Sequence, residues 1–310
     1  MRIHAAALNP VELHIWNGHF FDGPPRAPYV IGLEGVGVVE AADRLAPGTR
    51  VRVEFVHPGY GRDGAVAEYA VAPEEPDSSN RASQASVAPI EDELDDVDAA
   101  ALGVPVFTAL MCLERAQRAG ASLEGAHVLV VGATGAVGAI AVQLAKLLGA
   151  ERVIAAGRNR ERLEREAALG ADATVPLDEG IGADELRASF SDAARGRLDV
   201  ALDPLWGDPA RAAIDALTRD GVYVSFGQAA SSVAELSGLP LRNRRVALVG
   251  HSGAWATPRE RQAALARAHE LAARAGTPLA LDTEELALDE IASGWERLSR
   301  SAGRRLVVRP

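Results

Sequence analysis

Residues 127–149, HVLVVGATGAVGAIAVQLAKLLG, decide the fold. Behind His127 stands an apolar run, Val128 to Val131, short enough for a buried parallel strand. The run breaks at Gly132, Gly135 and Gly138, spaced G-x-x-G-x-x-G. Val137, Ile140, Ala141, Leu144 and Leu148 then recur at helical spacing, and Gly149 supplies a C-terminal stop. Strand, glycine turn and amphipathic helix, in that order, build a dinucleotide phosphate site. The glycines let the backbone turn tightly and approach a pyrophosphate, while the helix N-terminus offers unpaired N–H groups and a positive dipole end. The candidate contacts are Gly132, Thr134, Gly135, Ala136 and Val137. A bare glycine motif also suits an ordinary strand–helix connection; the flanking order favours the phosphate site.

A second strand, Arg152 to Ala156, ends at Gly157-Arg158-Asn159-Arg160, where the adenosine ribose of a bound dinucleotide lies in this architecture. An acid there accepts from the 2′-hydroxyl and favours NAD. This chain offers Arg158 and Arg160 instead, and guanidinium groups match phosphate geometry, so NADPH is the expected cofactor. The alternative is a solvated helix face, since RERLERE continues with mixed charge. Further short apolar runs stand at 173–177, 198–203, 221–226 and 246–250, with helical material in most gaps. That alternation predicts a doubly wound parallel sheet of Rossmann type. Phe226 and His251 follow the fifth and sixth strands, at the carboxyl ends that face a ligand crevice.

The first 75 residues read differently. A strand occupies 1–8, and Asn9-Pro10 opens a short helix. Alternating glycines mark a strand over 31–40, Ala46 to Thr49 forms a turn, Val51 and Val53 alternate in another strand, and 65–71 reads as a further one. This is a compact, barrel-like β unit. Residues 73–98 turn polar and then acidic, predicting an exposed loop and a helix start, with apolar helix from Asp98 onward. After the parallel sheet come a long helix over 258–275, a strand from Leu279, a helix over 288–298 and a closing strand over 306–308. Such a tail predicts a chain that returns to complete the N-terminal domain.

Composition removes several classes of function. A net charge of −11 opposes a nucleic-acid surface. No apolar run is long enough for a bilayer span and no signal peptide opens the chain, so a cytoplasmic protein is expected. The single Cys112, in an apolar helical stretch, rules out an intramolecular disulfide and a multi-cysteine zinc lobe. Ser225 lacks triad partners at a suitable spacing and no G-x-S-x-G elbow exists, which disfavours hydrolysis.

The stretches HAAALNPVEL, GLEGVGVVE, GAVAEYAVAP, AAALGVPVFTAL, VLVVGATGAVGAIAVQLAKLLGA, VYVSFGQ and VALVGHS stand in an order that resembles the medium-chain dehydrogenase/reductase superfamily, in its zinc-independent quinone-oxidoreductase-like branch. The resemblance implies an α/β protein with a Rossmann cofactor domain at 99–275 and a GroES-like, β-barrel-type catalytic domain at 1–98 and 276–310. Zinc-dependent relatives carry ligands near Asn9, at Leu33-Glu34 and near 102–105; here those places hold no Cys or His, and no catalytic metal is expected. The resemblance also implies a strand hairpin ahead of Met1. Its absence here suggests either a pruned domain with an edge to be covered or a start codon placed late.

Without a Lewis acid, hydride transfer suits an electron-poor small-molecule acceptor, a quinone or enone, whose product oxyanion needs only hydrogen-bond donors. The resemblance puts His14 where a substrate-facing tyrosine stands, and Asn9 where an asparagine holds the nicotinamide end. Tyr60, in the glycine-rich loop HPGYGRDG, is the third candidate. Asp203, after the fourth parallel strand, reads as a cap or as lining for the adenine side. A reductase for a bulkier ketone or biosynthetic substrate, and an NADPH-binding sensor without turnover, remain alternatives. The resemblance further implies a homodimer.

Overall fold

A computed structural model describes residues 1–19, 23–55, 58–74, 85–90, 94–300 and 304–310. Its contacts divide the chain into one unit of Met1–Val104 with Leu281–Pro310 and a second of Pro105–Ala280. No described helix is long and apolar enough to cross a membrane.

In the first unit a six-stranded sheet runs β11-β12-β1-β2-β3-β4. The strands are β1 (Arg2–Ala7), β2 (Glu34–Val38), β3 (Arg50–Phe55), β4 (Ala85–Pro89), β11 (Thr283–Ala287) and β12 (Arg305–Arg309). β1 lies antiparallel between β12 and β2, so the C-terminal strand completes the N-terminal sheet, as the tail predicts. A register shift between Ile3 and Ala5 resets the alternation along β1. Ile3, Ala6 and Leu8 therefore share one core with Val53, Phe55, Leu306 and Val308. Ala5 and Ala7 face Val97 and Ala100 of helix α2 (Asp96–Ala101) on the other side.

Two readings of this unit need correction. The stretch 65–71 is no strand: it makes a single bridge, Tyr69 to Arg2. Ala65 and Val66 donate to Gly32 and Ile31, whereas the Glu68 and Ala70 backbones bond Ile3 and Met1. One short segment thus serves two partners, and no ladder forms. Conversely, β4 lies where a polar loop was expected. Ala85-Ser86-Val87-Ala88-Pro89 has little strand propensity, and its pairing along β3 from Phe55 to Val51 supplies the order instead. Most of the polar stretch before it, 75–84, lies outside the described residues.

The second unit is an all-parallel sheet in the order β10-β9-β8-β5-β6-β7. The strands β5 (His127–Val131), β6 (Arg152–Gly157), β7 (Ala173–Pro176), β8 (Val200–Asp203), β9 (Val222–Ser225) and β10 (Ala247–Gly250) match the six apolar runs. β5 is buried along its whole length. Leu129, Val131, Ile154 and Tyr223 pack one face against Phe190 of α6 (Ala183–Ala193) and Ile214 of α7 (Asp208–Ala216). The order reverses between β5 and its neighbours β6 and β8, the switch point at which such sheets bind ligands. Helix α9 runs Pro258–Ala275 and opens with a Thr257/Glu260 capping box.

Candidate functional site

Beyond β5 the chain turns at Gly132, whose φ of +67° suits glycine, and enters helix α4 (Ala136–Leu147) through Gly135 as N-cap. A Cβ on Gly138 would lie 2.3 Å from the Gly132 carbonyl oxygen, so only glycine lets the helix start this close to the strand. The first helical bond runs from the Ala139 N–H to the Gly135 carbonyl at 2.9 Å. The N–H groups of Ala136, Val137 and Gly138 thus precede the helical ladder and carry the positive end of the dipole. At the end of β6, Gly157 leaves room for Thr134: a Cβ there would stand 2.7 Å from the Thr134 methyl. This cradle fits a pyrophosphate by shape and by charge.

Three arginines follow β6 with different surroundings. Arg158 is exposed. Arg160 opens helix α5 (Arg160–Ala168) and pairs with Asp178 at 2.6 Å on the surface. Arg162, which the sequence reading passes over, donates from Nη1 to the Thr134 carbonyl at 2.8 Å. Its signal is the cap: the Asn159 side chain accepts the Arg162 N–H at 3.0 Å, and this fixes which face of α5 meets the turn.

At the far ends of the strands, the Phe226 N–H donates to the Asp203 carbonyl at 3.0 Å and the His251 N–H to the Ser225 carbonyl at 2.8 Å. The His251 ring is half-buried and its Nε2 has no hydrogen-bond partner. Burial, helped by Arg115 and Arg118, pushes this imidazole down to about 4, so it stays neutral near pH 7. Asp203 is fully buried and accepts from the Leu205 N–H at 2.6 Å, the Trp206 N–H at 3.2 Å and the Tyr223 hydroxyl. Its carboxylate therefore shapes the loop after β8, including the left-handed Trp206 at φ +62°. That loop brings Pro204 against Gly132 and Gly227. A cavity of about 410 Å³, lined by Trp206, Tyr223, Ser225, Gln228 and Leu248, opens beside these strand ends.

The first unit holds a buried polar cluster. Asn9, 2% exposed, caps helix α1 (Pro10–Trp16) and donates from Nδ2 to the Ala7 carbonyl at 3.2 Å and to Glu34 Oε1 at 3.1 Å. Its Oδ1 accepts from Arg305 at 3.0 Å. Arg305 also binds Glu34 Oε1, and Glu34 Oε2 accepts the Val104 N–H at 2.7 Å. Burial pushes the Glu34 carboxyl up, opposed chiefly by the Arg305 guanidinium. Glu12 accepts the Asn9 and Gly32 N–H groups at 2.7 and 2.6 Å, and burial raises it to about 7. Neither Glu12 nor Arg305 stood out in the sequence; Arg305 lies 271 positions from Glu34.

Of the residues the sequence singles out here, Asn9 belongs to this scaffold. His14 faces out on α1 and Tyr60 is half-buried with its hydroxyl donating to the Gly23 carbonyl. Beside them the Trp16 and Tyr29 rings meet at a tilt of 38° with centroids 6.2 Å apart, and burial, Glu12 and Tyr60 push the Tyr29 phenol up to about 12.

Residues 1–76 match the alcohol dehydrogenase GroES-like domain and residues 136–270 the zinc-binding dehydrogenase family. The chain is 28% identical to mouse quinone oxidoreductase over 228 residues, 73% of this chain and 63% of that protein. It is 32% identical to human quinone oxidoreductase over 157 residues, 51% of this chain and 43% of that protein. It thus spans less than two thirds of the length of either. The quinone oxidoreductase of Thermus thermophilus, solved alone and with NADPH, superimposes with a TM-score of 0.74 at 28% identity, covering 100% of this chain and 90% of that one.

The zinc in the family description does not fit this site. The Asn9 amide and Glu34 carboxylate are saturated by each other and by Arg305, and no three His, Cys, Asp or Glu side chains cluster among the described residues. A guanidinium balances the buried carboxylate here. Taken together, domain pair, sheet order and relatives show that the chain belongs to the medium-chain dehydrogenase/reductase superfamily, with quinone-oxidoreductase-like relatives.

Proposed function

We propose that the protein is an NADPH-dependent, zinc-independent oxidoreductase that reduces quinones or activated C=C bonds. The observation that carries this is the glycine cradle at the N-terminus of α4 with Arg158 exposed beyond β6. When bound, the nicotinamide supplies the hydride. The N–H groups of Ala136, Val137 and Gly138 bind and orient the pyrophosphate, and Arg158 takes the 2′-phosphate. The neutral His251 and the Phe226 backbone sit at the strand ends that receive the nicotinamide.

A quinone or enone that accepts hydride becomes an anion, which takes one proton to give the hydroquinone or saturated ketone. That anion needs a hydrogen-bond donor rather than a metal, and His14 is the side chain we assign to that work, since the Tyr60 hydroxyl donates to the Gly23 carbonyl. Quinone oxidoreductases among the relatives support this substrate class. The test is NADPH oxidation at 340 nm with a panel of quinones and enones. Turnover with at least one class is expected. Tight NADPH binding with no turnover across the panel would reject the enzymatic reading in favour of a sensor.

We further propose that two copies pair along β10. It is the outer strand of its sheet, and Leu248 and Val249 on it are only half-buried. Light scattering at micromolar concentration should give twice the chain mass of 32.5 kDa; a monomer would refute the pairing.

A further inference from the structure

The cavity at the ends of β9 and β10 has no part in the proposed reaction. Its walls belong to one face of the sheet. Leu248 stands level with Tyr223 in the β10–β9 ladder, and Tyr223 sits in the core cluster that joins the sheet to α6 and α7, with Trp206 and Leu248 packed against it. No residue of α4, the helix of the glycine turn, belongs to that cluster. His251 is set towards helix α3 (Val104–Arg118), whose Arg115 and Arg118 act on its ring. The cavity therefore opens on the α7 side of the sheet, and the pyrophosphate cradle is built on the α4 side.

Two aromatic rings wall the cavity, and one buried carboxylate fixes both. Trp206 and Tyr223 stand 6.1 Å apart, centroid to centroid, at a tilt of 55°. Asp203 accepts both the Tyr223 hydroxyl and the Trp206 N–H. Trp206 holds φ at +62°, a left-handed backbone that a bulky residue rarely adopts and that glycine takes without strain. Strain of this kind collects at ligand clamps, and here it keeps an indole on the cavity wall. The polar lining is uncharged: Ser225, beside the Tyr223 hydroxyl, and the exposed Gln228 and Ser232. Among the described residues no charged side chain lines the cavity. Its volume of about 410 Å³ falls within the span of small-molecule sites, about 300–1,000 Å³.

We propose that this cavity is a second ligand site, for an uncharged planar aromatic molecule that carries a hydroxyl or carbonyl group. The Trp206 and Tyr223 rings and the Leu248 side chain take the flat apolar body. Ser225, Gln228 and Ser232 take the polar substituent, each able to donate and to accept. A carboxylate is disfavoured, because no cation meets it and Asp203 lies behind the rings. Pairing of two copies along β10 engages the outer backbone edge of that strand, whereas the ligand lies over its face. The site rests on the second unit alone and does not depend on the dinucleotide reading.

The test is calorimetric titration of the full chain at pH 7 with 2-naphthol and with 2-naphthoate, for the wild type, Trp206→Gly and Leu248→Trp. The wild type should bind one 2-naphthol per chain with a Kd on the order of 100 µM, and 2-naphthoate at least about tenfold more weakly. Trp206→Gly removes the indole and suits the left-handed backbone; it should weaken 2-naphthol about tenfold. Leu248→Trp, which fills the cavity from β10, should do the same, and it decides the matter if Trp206→Gly does not fold. Saturating NADPH should leave the 2-naphthol affinity unchanged. No saturable binding, equal affinity for the two probes, full affinity in the folded variants, or displacement by NADPH would overturn the inference.

Discussion

Replacing Arg305 by leucine tests the claim that a guanidinium stands in the first unit where zinc-dependent relatives need ligands. The substitution removes the donors to the Leu8 carbonyl, Asn9 Oδ1 and Glu34 Oε1 in one step. Glu34, itself fully buried, keeps hydrogen bonds from Asn9 and the Val104 N–H, with Arg52 as the remaining nearby cation. Removing the hydrogen-bonded cation of a buried ion pair costs about 3–5 kcal/mol. For a chain of this size that lowers the thermal midpoint by roughly 10 °C. Arg305→Leu with Glu34→Gln should recover much of the loss, because the buried carboxylate that Arg305 balanced is then gone. Calorimetry or circular dichroism on the single and double variants reads the result. A single variant within about 1 kcal/mol of wild type would refute the reasoning, since that is the worth of a surface pair.

Three other outcomes follow from the same geometry. Gly138→Ala drives a methyl group against the Gly132 carbonyl, and should cost about 1–3 kcal/mol of stability and loosen dinucleotide binding; chemical denaturation and titration check it. Glu12 has a folded value raised from 4.5 to about 7, so the folded chain keeps a proton that the unfolded chain releases in that window. Its contribution is full below pH 4.5 and lost as pH rises through 7; Glu12→Gln should flatten part of the fall in thermal midpoint across this range. His251 should keep a neutral ring down to about pH 4, and a ring titrating near 6.5 in nitrogen-15 NMR would contradict its burial.

How much of this was legible in the chain depended on range. The glycine turn, the six parallel strands and helix α9 declare themselves within windows of a dozen or so residues, through apolar runs, glycine spacing and caps. Strand β4 does not, because alanine, serine and proline gain order there only from β3. The stretch 65–71 misled in the opposite sense: its alternation is strand-like, yet Gly32, Ile31, Ile3 and Met1 divide its backbone bonds. The polar cluster around Glu34 needed a partner from the last strand, and no local pattern marks Arg305 as buried. Arg162 was hidden in a charged helix that reads as solvated, although the Asn159 cap sets its direction.

The central claim is that the α4 turn and Arg158 together bind NADPH. The most direct test titrates the purified wild type and Arg158→Ala with NADPH and with NADH, followed by fluorescence. NADPH should bind the wild type more tightly than NADH, and the substitution should weaken NADPH by about ten- to a hundredfold while leaving NADH nearly unchanged, as loss of one guanidinium–phosphate contact requires. Equal affinity for both cofactors, or an Arg158→Ala variant that still prefers NADPH, would contradict the assignment.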